Sequence, residues 1–401
     1  MTASPLLARP GAVSLEDMPP GRGTPAAGAF PVAAHYGQPL PEQRWAAEGA
    51  ALVDRSNADV VAVPGPDRLS WLHSLTSQHL EQLADGTGTE SLVLSPHGHV
   101  EHHLTLADLG GAVYADVEPG TGAALTAWLD RMRFMLRVEP ALVTDAWALL
   151  SLVGPHGDDV LAAAGWPVPQ APYAVLPLDG GGFVRRMPPI GDGSAAVVDV
   201  LVPRAETAAR ADLLLDAGAV LAGLDAYEAL RVEARRPRAG VDTDHRTIPN
   251  ELPWLGTAVH LQKGCYRGQE TVARVHNLGR PPRRQVLLHL DGVSEVLPAP
   301  GTPVTAGTRP GGVRGQGGAT GGVRGQGGVT VGRIGTAVRH HELGVVALAL
   351  VKQSVRQDAV LHAGEAVAAI DPDDAAPQAP DDTTAAARER VRAVRSATIG
   401  R

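Results

Sequence analysis

Cys265 is the only cysteine among the 401 residues. No intrachain disulfide can therefore staple this chain, and no cysteine-rich zinc or iron–sulfur centre can be built from it alone. The fold must be held by buried apolar surface, and this thiol usage suits a reducing compartment. The surroundings of that cysteine are polar: Lys263, Gly264, Cys265, Tyr266, Arg267, Gly268, Gln269, Glu270, Thr271, Val272, Ala273 and Arg274 follow one another. Gly264 and Gly268 can take backbone angles closed to other residues, so the loop can turn tightly and approach a ligand. Lys263, Arg267 and Arg274 lie close to Cys265 in sequence, and neighbouring cations favour the thiolate, the reactive form. Most free cysteines are small buried hydrophobes. The charged flanks here predict instead an exposed, reactive thiol.

A chain of this length exceeds the size of a usual single core, so two or three domains are expected. Apolar residues make up 44% of it, as in a globular protein. The abundance of Ala, Gly, Arg and Pro points to a GC-rich bacterial genome. A net charge of −8 argues against a nucleic-acid partner for the chain as a whole. The longest clean apolar run, residues 345–351, falls far short of the roughly 20 residues that span a bilayer. No apolar segment follows a basic start at the N-terminus, so a soluble, cytoplasmic protein is expected.

Periodicity orders the rest. Residues 1–28 are rich in Pro, Gly and Ala and read as a disordered lead-in. A short helix over 44–53 and a strand over 58–63 precede an amphipathic helix over 68–80, with Asp67 as its N-cap. Strands over 91–95 and 100–106 flank the turn 96–99. In the second, His102, Leu104 and Leu106 share one face, and Glu101, His103 and Thr105 the other. Leu125, Trp128, Leu129, Met132, Met135 and Leu136 mark a core-facing helix. Strands over 149–153 and 195–202 alternate with helices over 158–164 and 205–216, a small α+β, split-βαβ pattern. Asp225 and Glu228 have capping-box spacing at the head of a helix over 225–236. Strands over 285–290, 329–338 and 344–352 suggest a small all-β module. Inside it, Gly311–Thr330 repeats a ten-residue unit twice, which reads as a flexible duplicated loop. An acidic, then Ala/Arg-rich tail over 371–401 is expected to be disordered.

The run K-G-C-Y-x-G-Q-E-x-x-A-R at 263–274 resembles the signature of the YgfZ-type folate-binding proteins, relatives of the glycine-cleavage T-protein (aminomethyltransferase). Arg231-Val232-Glu233-Ala234 is similar to the R-x-E-A segment of that family, whose Glu holds the pterin. The resemblance implies an α+β, T-protein-like fold of three domains around a central folate channel. A folate-binding α+β domain would cover 29–146, completed by 225–284. A ferredoxin-like domain would cover 147–224. A C-terminal β-barrel would cover 285–370, with a Gly-rich insert at 306–330. It further implies tetrahydrofolate or a derivative as ligand, with Glu233, Arg231, Tyr266, Gln269, Glu270 and Arg274 as candidate binding residues. The function implied is a folate-binding accessory protein for iron–sulfur cluster assembly or repair, with Cys265 as its working thiol. Its partners would then be iron–sulfur client or assembly proteins.

Two other readings compete. A folate-dependent aminomethyltransferase or demethylase would need acid–base groups at the 96–99 turn. The matching hairpin of aminomethyltransferases carries G-G-I-x-D-D, whose Asp assists at the folate. Here Gly98-His99-Val100-Glu101-His102-His103 lacks the Asp pair, so Glu101 or His102 are the acid–base candidates. A non-catalytic RNA- or protein-binding module is the remaining alternative. His97, His99, His102 and His103 are not counted as a metal site, because 102 and 103 face opposite sides of a strand. A carboxylate such as Glu233 matches the paired N–H groups of a pterin edge, the geometry of an Arg–carboxylate fork. As a helix-surface ion pair with Arg235, Arg236 or Arg238 it would contribute little. No P-loop, Rossmann glycine pattern or G-x-S-x-G elbow occurs, so nucleotide-driven and serine-hydrolase functions have no sequence support.

Overall fold

A computed structural model describes residues 3–18, 30–307 and 328–374. Three large sheets and one two-stranded pair organise the described residues. The first is antiparallel and five-stranded, in the spatial order Thr87–Leu94, Val100–Leu109, Ala112–Val117, Asp59–Pro64 and Ala141–Leu142. Alternation along these strands sends Val61, Val63, Leu104 and Leu106 to one face. Helices Arg68–Leu75 and Gly122–Met132 cover that face with Trp71, Leu72, Leu125 and Leu129. On the opposite side, Leu92, Leu94 and Val100 pack under Trp254, Tyr266 and Val272 from the returning segment 249–278.

The second sheet has six strands, in the order Val175–Pro177, Phe183–Ile190, Ala195–Pro203, Trp147–Val153, Ala51–Asp54 and Val220–Ala222. Its last pair is parallel. Its central strands are largely apolar on both sides because both are covered, with buried Ser151, Arg185 and Asp199 as exceptions. Leu161 and Leu214, from helices Gly157–Ala163 and Thr207–Asp216, pack on one side. Ala46, Ala226 and Leu230, from helices Pro39–Glu48 and Leu224–Glu233, pack on the other. The third sheet is a closed six-stranded barrel built from Arg283–Leu290, Gly344–Lys352, Val329–His340, Pro303–Ala306, Leu361–Ala363 and Ala366–Ile370.

Several expectations change. Residues 3–18 carry structure: Leu6 is fully buried and Val13–Ser14 pairs with Ala33–His35. Strand Ala51–Asp54 joins the second sheet, across the boundary expected near 147. The helix expected over 68–80 stops at Leu75, where Thr76 turns extended. Asp67 stands at the N-cap position as expected, but its carboxylate makes no capping bond and instead holds the Arg137 guanidinium and backbone N–H. The helix expected to reach Leu136 ends at Met132. Phe134 then takes a positive φ of 47°, which turns Met135 out to 96% exposure instead of into the core. Gly223, not Asp225, is the N-cap of helix Leu224–Glu233, and no side chain caps it. Gln269–Leu278, read as part of a loop, is a helix. The repeat 311–327, residues 19–29 and the tail beyond 374 lie outside the described residues. No helix among the described residues is long and apolar enough to cross a membrane.

Candidate functional site

The outer face of strand Val100–Leu109, predicted as Glu101, His103 and Thr105, turns toward a cavity of about 260 Å³ that His103 and Thr105 line. Glu90, across the sheet on strand Thr87–Leu94, faces the same cavity. His103 Nε2 lies 3.1 Å from Glu90 Oε2. Thr257 donates to that same oxygen at 3.1 Å, and Tyr173 donates its hydroxyl to Oε1 at 2.5 Å. Burial works against charge on Glu90, but the hydrogen bond and charge of His103, the Tyr173 hydroxyl and nearby Arg236 win and hold it at about 2. An ionised carboxylate accepts only, so Nε2 of His103 carries the proton. The ring is further fixed by stacking on Trp254, with centroids 4.6 Å apart and planes 13° from parallel. Nδ1 has no partner among the described residues and is left for a ligand. Tyr173 itself sits at φ 62°, backbone strain of the kind that collects at functional sites.

The remaining walls are ionic. Helix Leu224–Glu233 turns Leu224, Tyr227, Glu228 and Arg231 to the cavity at three- and four-residue spacing. Arg231 is nearly fully buried and pairs with Glu228 at 2.6 Å and Asp242 at 3.0 Å. Arg238 forks onto Glu118 through Nε at 3.0 Å and Nη2 at 2.8 Å, and reaches Glu228 at 3.3 Å. Below them, buried Arg185 bridges Asp116 and Asp199, each at 2.7 Å. Arg236 spends one donor on the Pro189 carbonyl at 3.0 Å, which leaves the rest of its guanidinium for a ligand.

The residues singled out in sequence fall elsewhere. Glu233 lines neither this cavity nor a larger one beside it. Its Oε2 accepts from Nε2 of buried His340 at 3.2 Å. Nδ1 of that ring accepts the backbone N–H groups of Glu342 and Leu343, so the Glu233–His340 pair ties the helix to the barrel. Arg231 reaches the cavity but is held by its buried carboxylates. Of the signature loop, Lys263, Gly264, Cys265, Tyr266, Gly268, Gln269, Glu270, Ala273 and Arg274 line neither cavity. Cys265 is exposed, as is Arg274. Lys263 is not a loop cation beside it. Its Nζ is buried and donates to the carbonyls of His73, Thr76 and Gln78 at the end of helix Arg68–Leu75. Burial lowers that ammonium to about 8, against the opposing charge of Glu81. Tyr266 packs in the core, which pushes its hydroxyl up to about 12. Gln269 donates to the Lys263 carbonyl at 3.3 Å.

Glu101 pairs with Arg267 at 3.3 Å, and His102 has its pKa lowered by burial. Neither lines a cavity, so His103 takes the position the acid–base candidates were expected to fill. Strand alternation had put His103 on the right face. Glu90 and Glu118 gave no local signal; Glu228 and Arg236 stood out in the sequence only as a helix-cap candidate and an ion-pair partner for Glu233. The rings of His97 and His99 stand 6.2 Å apart at the turn. Among the described residues, no three His, Cys, Asp or Glu side chains are placed to hold a metal ion.

The fold is similar to that of glycine cleavage system aminomethyltransferase T from Bartonella henselae. The TM-score is 0.73 at 20% identity, over 91% of this chain and 94% of that one. In sequence the chain is 28% identical to an aminomethyltransferase of Rubrobacter xylanophilus over 276 residues, 66% of this chain and 71% of that protein. It is 27% identical over 270 residues to a chloroplastic relative from Arabidopsis thaliana; these residues are 64% of this chain and span only 59% of the plant protein's length. Residues 30–263 match the model of the GCVT N-terminal domain. With more than half of its length inside that match, the chain belongs to the GCVT N-terminal domain family.

Proposed function

We propose that this chain binds a tetrahydrofolate-type ligand in the 260 Å³ cavity and acts as a folate-dependent one-carbon transferase of the aminomethyltransferase kind. The observation that carries this reading is the His103–Glu90 pair facing that cavity. The residues present fit such a ligand. Arg236 keeps guanidinium donors for a carboxylate tail. Asp116 keeps one carboxylate oxygen for the ring's N–H groups. A tetrahydrofolate-type ligand supplies the nitrogen that accepts the one-carbon unit. His103 Nδ1 exchanges the proton, with Glu90 orienting the ring and stabilising its charged form. The test is calorimetric titration with tetrahydrofolate. Binding in the wild type, weakened in Arg236→Ala and kept in Glu233→Ala, supports the reading. Absence of binding in the wild type sinks it.

A second reading is favoured by one observation, the exposure of Cys265 away from both cavities. The thiol would then serve partner chains, as in an accessory role in iron–sulfur cluster assembly, while the folate site acts separately. A Cys265→Ser variant that keeps tetrahydrofolate binding but fails to support an iron–sulfur client enzyme in cells would favour it.

A further inference from the structure

A second cavity of about 430 Å³ adjoins the first. The two share the wall formed by Asn57, Glu118, Pro119, Leu224, Glu228 and Arg238. Apart from that wall its lining is largely apolar, with Phe30, Val32, Leu40 and Val338 among it. Its charges are unequal. Glu16, Glu118, Asp225 and Glu228 face Arg238 and Arg339. Both guanidiniums are engaged: Arg238 on Glu118 and Glu228, Arg339 on the Ser294 and Glu295 carbonyls. Both Glu228 oxygens are taken by arginines. Glu118 differs: Arg238 holds Oε2, and Oε1 has no hydrogen-bond partner among the described residues.

Asn57 stands beside it on the shared wall. It is only 8% exposed, yet its carboxamide has no hydrogen-bond partner among the described residues. An amide that lines a cavity without protein partners keeps its oxygen and N–H groups for a ligand. A carboxylate oxygen and an amide oxygen together accept from a multi-donor cation, and the apolar remainder suits a hydrocarbon body.

We propose that the larger cavity is a second binding site, for an aliphatic amine whose ammonium donates to Glu118 Oε1 and the Asn57 carboxamide. The site is distinct from the folate-type site and does not depend on it. Its anionic lining repels carboxylates, so the glutamate tail of a folate is not its occupant.

The test titrates the full chain with n-hexylammonium, hexanol and hexanoate by calorimetry. Hexylammonium is expected to bind about tenfold or more tighter than hexanol, with hexanoate weakest. Glu118→Gln should erase most of that preference. Asn57→Leu removes the cavity-facing amide, so it should weaken hexylammonium while leaving hexanol binding unchanged or stronger. Hexanol binding as well as hexylammonium would overturn the proposal. So would an unchanged preference in Glu118→Gln, or Asn57→Leu that leaves amine binding intact. A tetrahydrofolate titration run in parallel keeps failure of this site separate from failure of the folate reading.

Discussion

Gly98 and Gly268 close on each other with no room for a side chain on either. A Cβ on Gly268 would lie 2.8 Å from the Gly98 Cα and 2.5 Å from the Ser95 carbonyl oxygen. A Cβ on Gly98 would lie 3.0 Å from the Gly268 carbonyl oxygen and 2.8 Å from the Thr271 Cβ. Both glycines hold left-handed backbone angles, φ 79° and 81°. This contact docks the signature loop on the hairpin whose second strand carries His103, so the loop builds the site without entering it.

Gly268→Ala should therefore destabilise the protein by about 2 kcal/mol or more, through both strain and overlap. Gly264 has open space around it and no left-handed angle, so Gly264→Ala should change stability by only about 0.5 kcal/mol either way. Urea unfolding of the two variants separates them. Equal losses would contradict the docking contact.

Lys263→Met should cost about 2–4 kcal/mol. It strips the partner from three carbonyls at the end of helix Arg68–Leu75, one of them on buried Thr76. Labelling of Cys265 by a thiol reagent should accelerate in the same variant, because the loop loses its anchor. A stability change within about 0.5 kcal/mol would mean the ammonium is dispensable.

His103→Ala and Glu90→Gln should each lower folate-dependent one-carbon turnover by about 10²–10⁴-fold, the usual range for a positioned acid–base group. Tyr173→Phe should lose less, since Tyr173 reaches the ligand only through Glu90. Initial rates with tetrahydrofolate across pH check this. A Tyr173→Phe loss that exceeds that of His103→Ala would reverse the assigned roles.

Glu90 also sets an acid limit. Its folded pKa of about 2 lies below the ordinary 4.5 of a free glutamate. The unfolded chain thus takes up its proton first as pH falls. The contribution is fully present above about 4.5 and is lost as pH drops toward 2. Glu90→Gln should flatten that part of the stability–pH curve, measured by chemical unfolding between pH 5 and pH 2.5. An unchanged slope would place the acid sensitivity on other carboxylates.

Arg231→Met should destabilise by about 3–5 kcal/mol, because Glu228 and Asp242 would stay buried and charged without their partner. Arg274→Ala, on an exposed side chain, should stay within about 0.5 kcal/mol. The contrast, read by thermal unfolding, separates a structural arginine from a surface one.

Strand alternation alone placed His103 and Thr105 on one face, apart from Leu104 and Leu106, and that division holds in the folded chain. Apolar periodicity likewise located most of the helices, because burial of one face is a local property of a helix, but it missed many strands, Ala51–Asp54 and Phe183–Ile190 among them. The end of helix Gly122–Met132 was not legible, because the turn at Phe134 that exposes Met135 leaves no mark in the spacing. The site depended on contacts far apart in the chain. Glu90 meets Tyr173, Glu118 meets Arg238, and Lys263 meets the carbonyls of helix Arg68–Leu75 only across tertiary distances. The sequence by itself determined the segments and their buried faces. Only the tertiary structure decided which charged side chains were spent on one another and which stayed open to a ligand. A buried charge is satisfied by whatever the fold brings within hydrogen-bond reach, and no local pattern records that.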